Sequence, residues 1–270
     1  MTELAAVQPV IVVAVAYALG LTRMWMTVGV GRLVSRSRVA LFALGLLACG
    51  IALGPLEPYT GDDLTLHMTQ HMLLMYVAAP LLVLGAPFPT LLWALPTRAR
   101  LRLQRRWQKF HRAVASDLWA LWLGLAAAVQ AILLWVWHLP ALYDAAVGDQ
   151  LVHVAEHASF LFPSIAFWWV VTGVVRRTRF GASVLAIFIA KFPGLFLGVG
   201  MTLALRPWYP SYGEGAAALR DQQGAGVVMW VGGGMIATVA GLVVFWHWMQ
   251  ALERAAPAET FRAIIERAEP

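Results

Sequence analysis

The chain has 270 residues, of which 60% are hydrophobic and only 13% charged, with 13 tryptophans and a mean hydropathy of +0.70. That composition excludes an ordinary soluble domain and points to a polytopic membrane protein. The net charge of +6 is better explained by membrane topology than by nucleic acid, and Cys49, as the single cysteine, excludes an intramolecular disulfide.

A transmembrane helix needs about 20 mainly apolar residues. The chain offers seven such segments, at about 7–26, 39–55, 64–86, 117–137, 149–172, 183–204 and 224–249. They predict an all-α polytopic membrane helix bundle, with residues 1–270 forming a single domain. The N-terminus lacks the basic region and small-residue cleavage site of a signal peptide, so the first apolar run is expected to remain as a span.

Basic residues occupy alternate connections. Arg23, Arg32, Arg36 and Arg38 flank the first connection, and Arg98, Arg100, Arg102, Arg105, Arg106, Lys109 and Arg112 fill the third. Arg176, Arg177 and Arg179 fill the fifth, and Arg254, Arg262 and Arg267 the tail, which places 17 of the 20 Lys and Arg on one side. The positive-inside rule then predicts the N-terminus outside and the C-terminus cytoplasmic. Acidic Glu57, Asp62, Asp63, Asp144, Asp149, Glu214 and Asp221 fall on the outer side.

From Thr97 to Arg112, Leu101, Leu103, Trp107 and Phe110 interleave with the cations, the pattern of an interfacial amphipathic helix on an anionic leaflet. Residues 259–268 read as a short helix. Gly194 and Gly198 form a Gly-x-x-x-Gly in the sixth span, expected to serve packing within the bundle while leaving room for a homo-oligomer.

Five of the seven histidines fall on the expected outer side: His67 and His71 opening the third span, His138 closing the fourth, and His153 and His157 in the fifth. His111 and His247 lie toward the cytoplasmic side and read as structural. At about 100° per residue, His71 is about 40° from His67 around the helix, Met75 about 80°, Met68 about 100° and Met72 about 140°. All five share one face. His153 and His157 repeat the four-residue spacing, so the two pairs meet if the third and fifth spans pack together. Ionisable groups at such depth mark a site facing the bundle interior. Imidazole suits copper, zinc and iron, and thioether sulfur narrows the choice toward Cu(I). The expected metal ligands are therefore His67, His71, His153, His157 and His138, with Met68, Met72 and Met75 beside them.

Two other constellations compete. His153-Val154-Ala155-Glu156-His157 fits H-x-x-E-H, in which two histidines hold zinc and the glutamate activates water, the signature of an intramembrane zinc-dependent hydrolase. Bis-histidine haem does not require histidines four apart. Asp221, before Gln222 and Gln223, reads as the cap of the seventh span, with Trp208, Tyr209 and Tyr212 at the membrane interface. Lys191 precedes Phe192-Pro193-Gly194, a helix irregularity whose freed carbonyls would accept its protons. Cys49 reads as a small packing residue.

The residues also resemble a known family, the polytopic cytochrome c oxidase assembly factors of the CtaG type. The likeness rests on His67-Met68-Thr69-Gln70-His71-Met72-Leu73-Leu74, on Ala79-Pro80 through Ala86-Pro87, on Trp137-His138-Leu139-Pro140-Ala141-Leu142-Tyr143-Asp144, on His153 to His157, and on Asp221-Gln222-Gln223 followed by Met229-Trp230. These blocks cover about residues 56–250. The resemblance implies a multi-pass protein of the bacterial plasma (inner) membrane, needed to form active oxidase through handling of copper. Its histidine blocks carry over onto His67, His71, His138, His153 and His157. The expectation is thus a non-enzymatic copper-binding metallochaperone, holding Cu(I) near the outer face and passing it to a cytochrome c oxidase subunit. Its other partner is the lipid bilayer, with no role for nucleic acid. A copper permease is the transport alternative, and it would need ligands continuing toward the cytoplasmic half.

Overall fold

The structure is a computed structural model that describes residues 4–115, 118–173 and 180–255. Among these residues all regular structure is helical. Seven helical segments are long and apolar enough to cross a membrane: Val7–Val28, Arg36–Tyr59, Leu64–Leu84, Trp119–Trp137, Gln150–Thr172, Phe180–Thr202 and Gly215–Arg254. The basic connection holding Arg176, Arg177 and Arg179, and the expected tail helix with Arg262 and Arg267, lie outside the described residues.

The third span is the most buried of the seven and packs against the second, fifth and seventh. The large side chains exposed at the surface are mostly Leu, Val, Ile and Phe on the outer faces of the remaining spans, as a lipid-facing belt requires. Fourth and fifth spans pack along each other, and the fifth lies against the third. Trp168 of the fifth span reaches across to donate its indole N–H to the Met75 carbonyl, 3.2 Å away. That carbonyl sits in a π-helical turn, Leu73–Ala78, which directly precedes Pro80. Proline cannot donate a backbone N–H and crowds the preceding turn. The wide turn absorbs this, and the indole supplies a partner that lipid could not. Constant 100° phasing therefore holds only as far as Met72, and Met75 departs from its expected angle.

The span boundaries differ from expectation in two places. The second helix, Arg36–Leu53, continues through a 3-10 turn at Glu57–Tyr59. The seventh starts at Gly215 rather than near 224, giving a segment of 40 residues. At 1.5 Å per residue this is about 60 Å long, against about 30 Å of hydrocarbon, so it projects well past the membrane. Hydropathy hides the added turns because Arg220, Asp221, Gln222 and Gln223 are polar, although Ala216, Ala217 and Ala218 favour helix.

Spans six and seven approach closely where glycines face each other. A Cβ at Gly226 would lie 2.5 Å from the Gly198 carbonyl oxygen, and one at Gly198 would lie 2.9 Å from that of Gly226. Gly198 thus serves packing inside the bundle, and Gly194 faces only the Leu134 side chain at 3.6 Å. The sixth span is broken between Phe180–Ile189 and Phe192–Thr202. At the break, the Lys191 ammonium lies 3.3 Å from the centroid of the Tyr76 ring. An aromatic face, rather than the freed carbonyls expected from sequence, receives the charge. The amphipathic helix forms over Thr97–Val114. Trp107 stacks on Phe88, and Phe110 stacks on Trp169, which pins the helix to the bundle.

Candidate metal centre

The site is built on the first two turns of the third span, Leu64–Met72. A helix start leaves four backbone N–H groups without partners, and here each one is satisfied. Asp221 of the seventh span accepts from Leu64 N at 2.8 Å and from Thr65 N at 3.0 Å, and also takes the Thr65 hydroxyl at 2.6 Å. Asp63, the N-cap, accepts from Leu66 N through its side chain and donates its own N–H to the Tyr59 carbonyl at 3.1 Å. Asp221 therefore caps a neighbouring helix, not its own, which begins six residues earlier. Gln222 and Gln223 hold the loop after the sixth span, with Gln222 Oε1 accepting from Trp208 N at 2.6 Å.

The fifth span is started by Asp149, whose carboxylate accepts from Leu151 N and Val152 N. Its packing against the third span brings the two histidine pairs together. One ligand nitrogen from each of His67, His71, His153 and His157 lies within 4.8 Å of the others. All four residues are buried.

Hydrogen bonding determines which nitrogen of each ring can face an ion. Tyr212 donates its hydroxyl proton to the Thr60 carbonyl at 2.6 Å, so its oxygen accepts from His67 Nδ1–H at 2.7 Å. Burial raises the Tyr212 phenol above its usual range, which keeps that proton in place. His67 Nε2 then carries a free lone pair. His153 Nδ1 donates to Glu57 at 3.2 Å, leaving Nε2 bare. Gln70 is oriented by its amide N–H groups, which donate to Ala52 O at 2.7 Å and Glu57 Oε2 at 2.6 Å. Its Oε1 therefore accepts from His157 Nε2 at 3.1 Å, leaving His157 Nδ1 as the donor atom. Three histidines thus commit one nitrogen to a fixed neighbour and keep the other free, the arrangement by which proteins orient imidazole ligands. His71 approaches through Nε2, 3.1 Å from His67 Nε2.

Several buried atoms of this cluster have no hydrogen-bond partner: His71 Nδ1, His153 Nε2 and both carboxylate oxygens of Glu156. Buried polar atoms are normally paired; with His71 presenting Nε2, its Nδ1 carries the proton, and the unpaired acceptors His153 Nε2 and the two Glu156 oxygens fit a cation. Glu156 has no exposed surface, and its Oε2 lies 3.7 Å from His67 Nε2 and 3.8 Å from His71 Nε2. The H-x-x-E-H pattern would use Glu156 together with His153 and His157. Its carboxylate instead faces the histidines of the other helix.

His138 follows the fourth span and donates from Nδ1 to the Leu134 carbonyl at 2.7 Å. Burial pushes its imidazole down to about 4, so the ring is neutral near pH 7, and its Nε2 is unpartnered. It stands beside the four-histidine group rather than in it. The Tyr143 ring lies between, with its centroid 5.2 Å from that of His67 and 5.8 Å from that of His138. Met68, Met72 and Met75 are all buried in the apolar core, and the Met72 sulfur points toward Gly233 of the seventh span. Cys49 packs with Ala48, Ala52, Leu74 and Ala78. His247 is exposed, and His111 lies against Trp169.

Sequence reasoning missed Glu57, Gln70, Tyr143 and Tyr212. Gln70 was detectable as a polar residue inside an apolar span. Glu57 reads as an outer-loop acid until the turn after Gly54-Pro55 folds it inward. Tyr209 and Tyr212, expected at the interface, turn toward the histidines: Tyr209 is 1% exposed and packs 4.2 Å from the Tyr143 ring. Buried phenols need polar partners, and Thr60, His67 and the His138 carbonyl supply them.

The family model for cytochrome c oxidase caa3 assembly factors matches residues 15–251, and the chain belongs to that family. No curated protein and no solved structure matches it.

Proposed function

We propose that this caa3 oxidase assembly factor is a non-enzymatic copper carrier that supports maturation of the oxidase copper centre. Four histidines on two packed spans, with one nitrogen of each within 4.8 Å of the others, carry the reading. The family supplies the client, a cytochrome c oxidase. Neutral imidazoles suit a cargo that must be released, because they bind copper without a fixed thiolate charge. His138 extends the site as a further ligand, and Met68, Met72 and Met75 flank it on the third span. The charge asymmetry, with 17 of 20 Lys and Arg in alternate connections and the tail, supports an orientation with the N-terminus and the histidine end outside and the C-terminus in the bacterial cytoplasm. Copper bound there is accessible to an oxidase subunit presented at the outer face.

The test is metal analysis of protein purified in detergent. Wild type is expected to retain copper, and His71→Ala combined with His157→Ala to lose it. Unchanged copper in the double variant would remove the proposed site. Zinc in place of copper, with a hydrolytic activity abolished by Glu156→Gln, would instead establish the hydrolase.

A further inference from the structure

The fifth residue of the cluster is Glu156, and its geometry is that of a ligand. Its Oε2 and the Nε2 atoms of His67 and His71 form a triangle with edges of 3.1, 3.7 and 3.8 Å. An ion centred among these atoms sits about 2.1 Å from each, within the usual range for metal–nitrogen and metal–carboxylate bonds. Both oxygens of this fully buried carboxylate have no hydrogen-bond partner. By contrast, the neighbouring Glu57 is held by Gln70 and His153. An unpaired carboxylate in a protein interior is strongly unfavourable unless a cation joins it.

We propose that Glu156 is a direct ligand, and that with His67 and His71 it forms a two-imidazole, one-carboxylate site for the divalent state of the metal. The inference rests on the copper reading and adds to it. Carboxylate oxygen is a hard anionic donor that favours a divalent ion, whereas Cu(I) is served by the neutral imidazoles. His153 and His157, pinned by Glu57 and Gln70, belong to the same cluster and supply further donors. Glu156 thereby lets one pocket hold copper in its divalent form.

The experiment compares wild type and Glu156→Gln in detergent, titrated with chelator-buffered Cu(II) in air and chelator-buffered Cu(I) under reductant. The variant is expected to bind Cu(II) at least about 30-fold more weakly and Cu(I) within about 3-fold of wild type, since even residues behind the ligands change metal affinity about 10–100-fold. The electron paramagnetic resonance spectrum of any residual Cu(II) should change its copper hyperfine splitting. In the metal-free state the variant should unfold at the same or a higher temperature, because the carboxyl it replaces has no hydrogen bond to lose. Unchanged Cu(II) affinity, or a weaker affinity with a superimposable spectrum, would overturn the assignment of Glu156 as a ligand. So would a metal-free variant that unfolds at lower temperature, which would reveal a structural role. If wild type binds copper while Glu156→Gln has no effect, the carrier reading stands and only this inference falls. If wild type binds copper in neither state, both fall.

Discussion

Asp221→Ala tests whether the seventh span holds the metal centre in place. The substitution removes three charge-assisted bonds to the start of the third span, from Leu64 N, Thr65 N and the Thr65 hydroxyl, and the hydroxyl alone keeps an alternative acceptor in the Asp221 carbonyl 3.0 Å away. Leu64 is 1% exposed, so water cannot easily replace the carboxylate there, whereas Thr65 is half-buried and can rehydrate. Hydrogen bonds to charged groups contribute about 1.5–3 kcal/mol, and loss of a helix cap costs about 0.5–2 kcal/mol. With one N–H stranded and the other partly rescued, the loss should be about 2–4 kcal/mol. Asp221→Asn keeps an acceptor oxygen without the charge and should lose about half as much. Equilibrium unfolding in mixed denaturing and native micelles measures both, and copper retention should fall in parallel because His67 and His71 lie on the same helix. A destabilisation below about 0.5 kcal/mol, the range of an ordinary surface substitution, would refute the capping argument.

Tyr212→Phe removes the phenol that fixes the His67 ring, and copper affinity should drop about 10–100-fold while the fold is retained. A competition titration that returns wild-type affinity would mean His67 is oriented by something else. Gly226→Ala places a Cβ 2.5 Å from the Gly198 carbonyl oxygen and should destabilise by about 1–3 kcal/mol. Gly194→Ala meets only the Leu134 side chain at 3.6 Å and should change thermal stability little. Equal behaviour of the two variants would show that spans six and seven do not meet at this glycine pair.

The apolar segments, the histidine pairs and their place near the ends of their spans were all legible in the sequence. These properties depend on local periodicity: 20-residue apolar runs read as spans, and two residues four apart share a helix face whatever surrounds them. The blocks from His67 to Leu74, Ala79 to Pro87, Trp137 to Asp144, His153 to His157 and Asp221 to Gln223 with Met229-Trp230 together named the family that the match over residues 15–251 establishes. Tertiary structure alone decided how the pairs face each other and which atoms they present. Glu57 is brought between Gln70 and His153 by a 3-10 turn, and Asp221 reaches a helix more than 150 residues earlier in the chain. Tyr212 selects the free nitrogen of His67, and Glu156 turns its carboxylate toward His67 and His71. None of these follows from spacing, because side-chain partners across helices depend on rotation and offset of packed spans. Such offsets are set by close glycine contacts and π turns, and a one-dimensional pattern does not encode them.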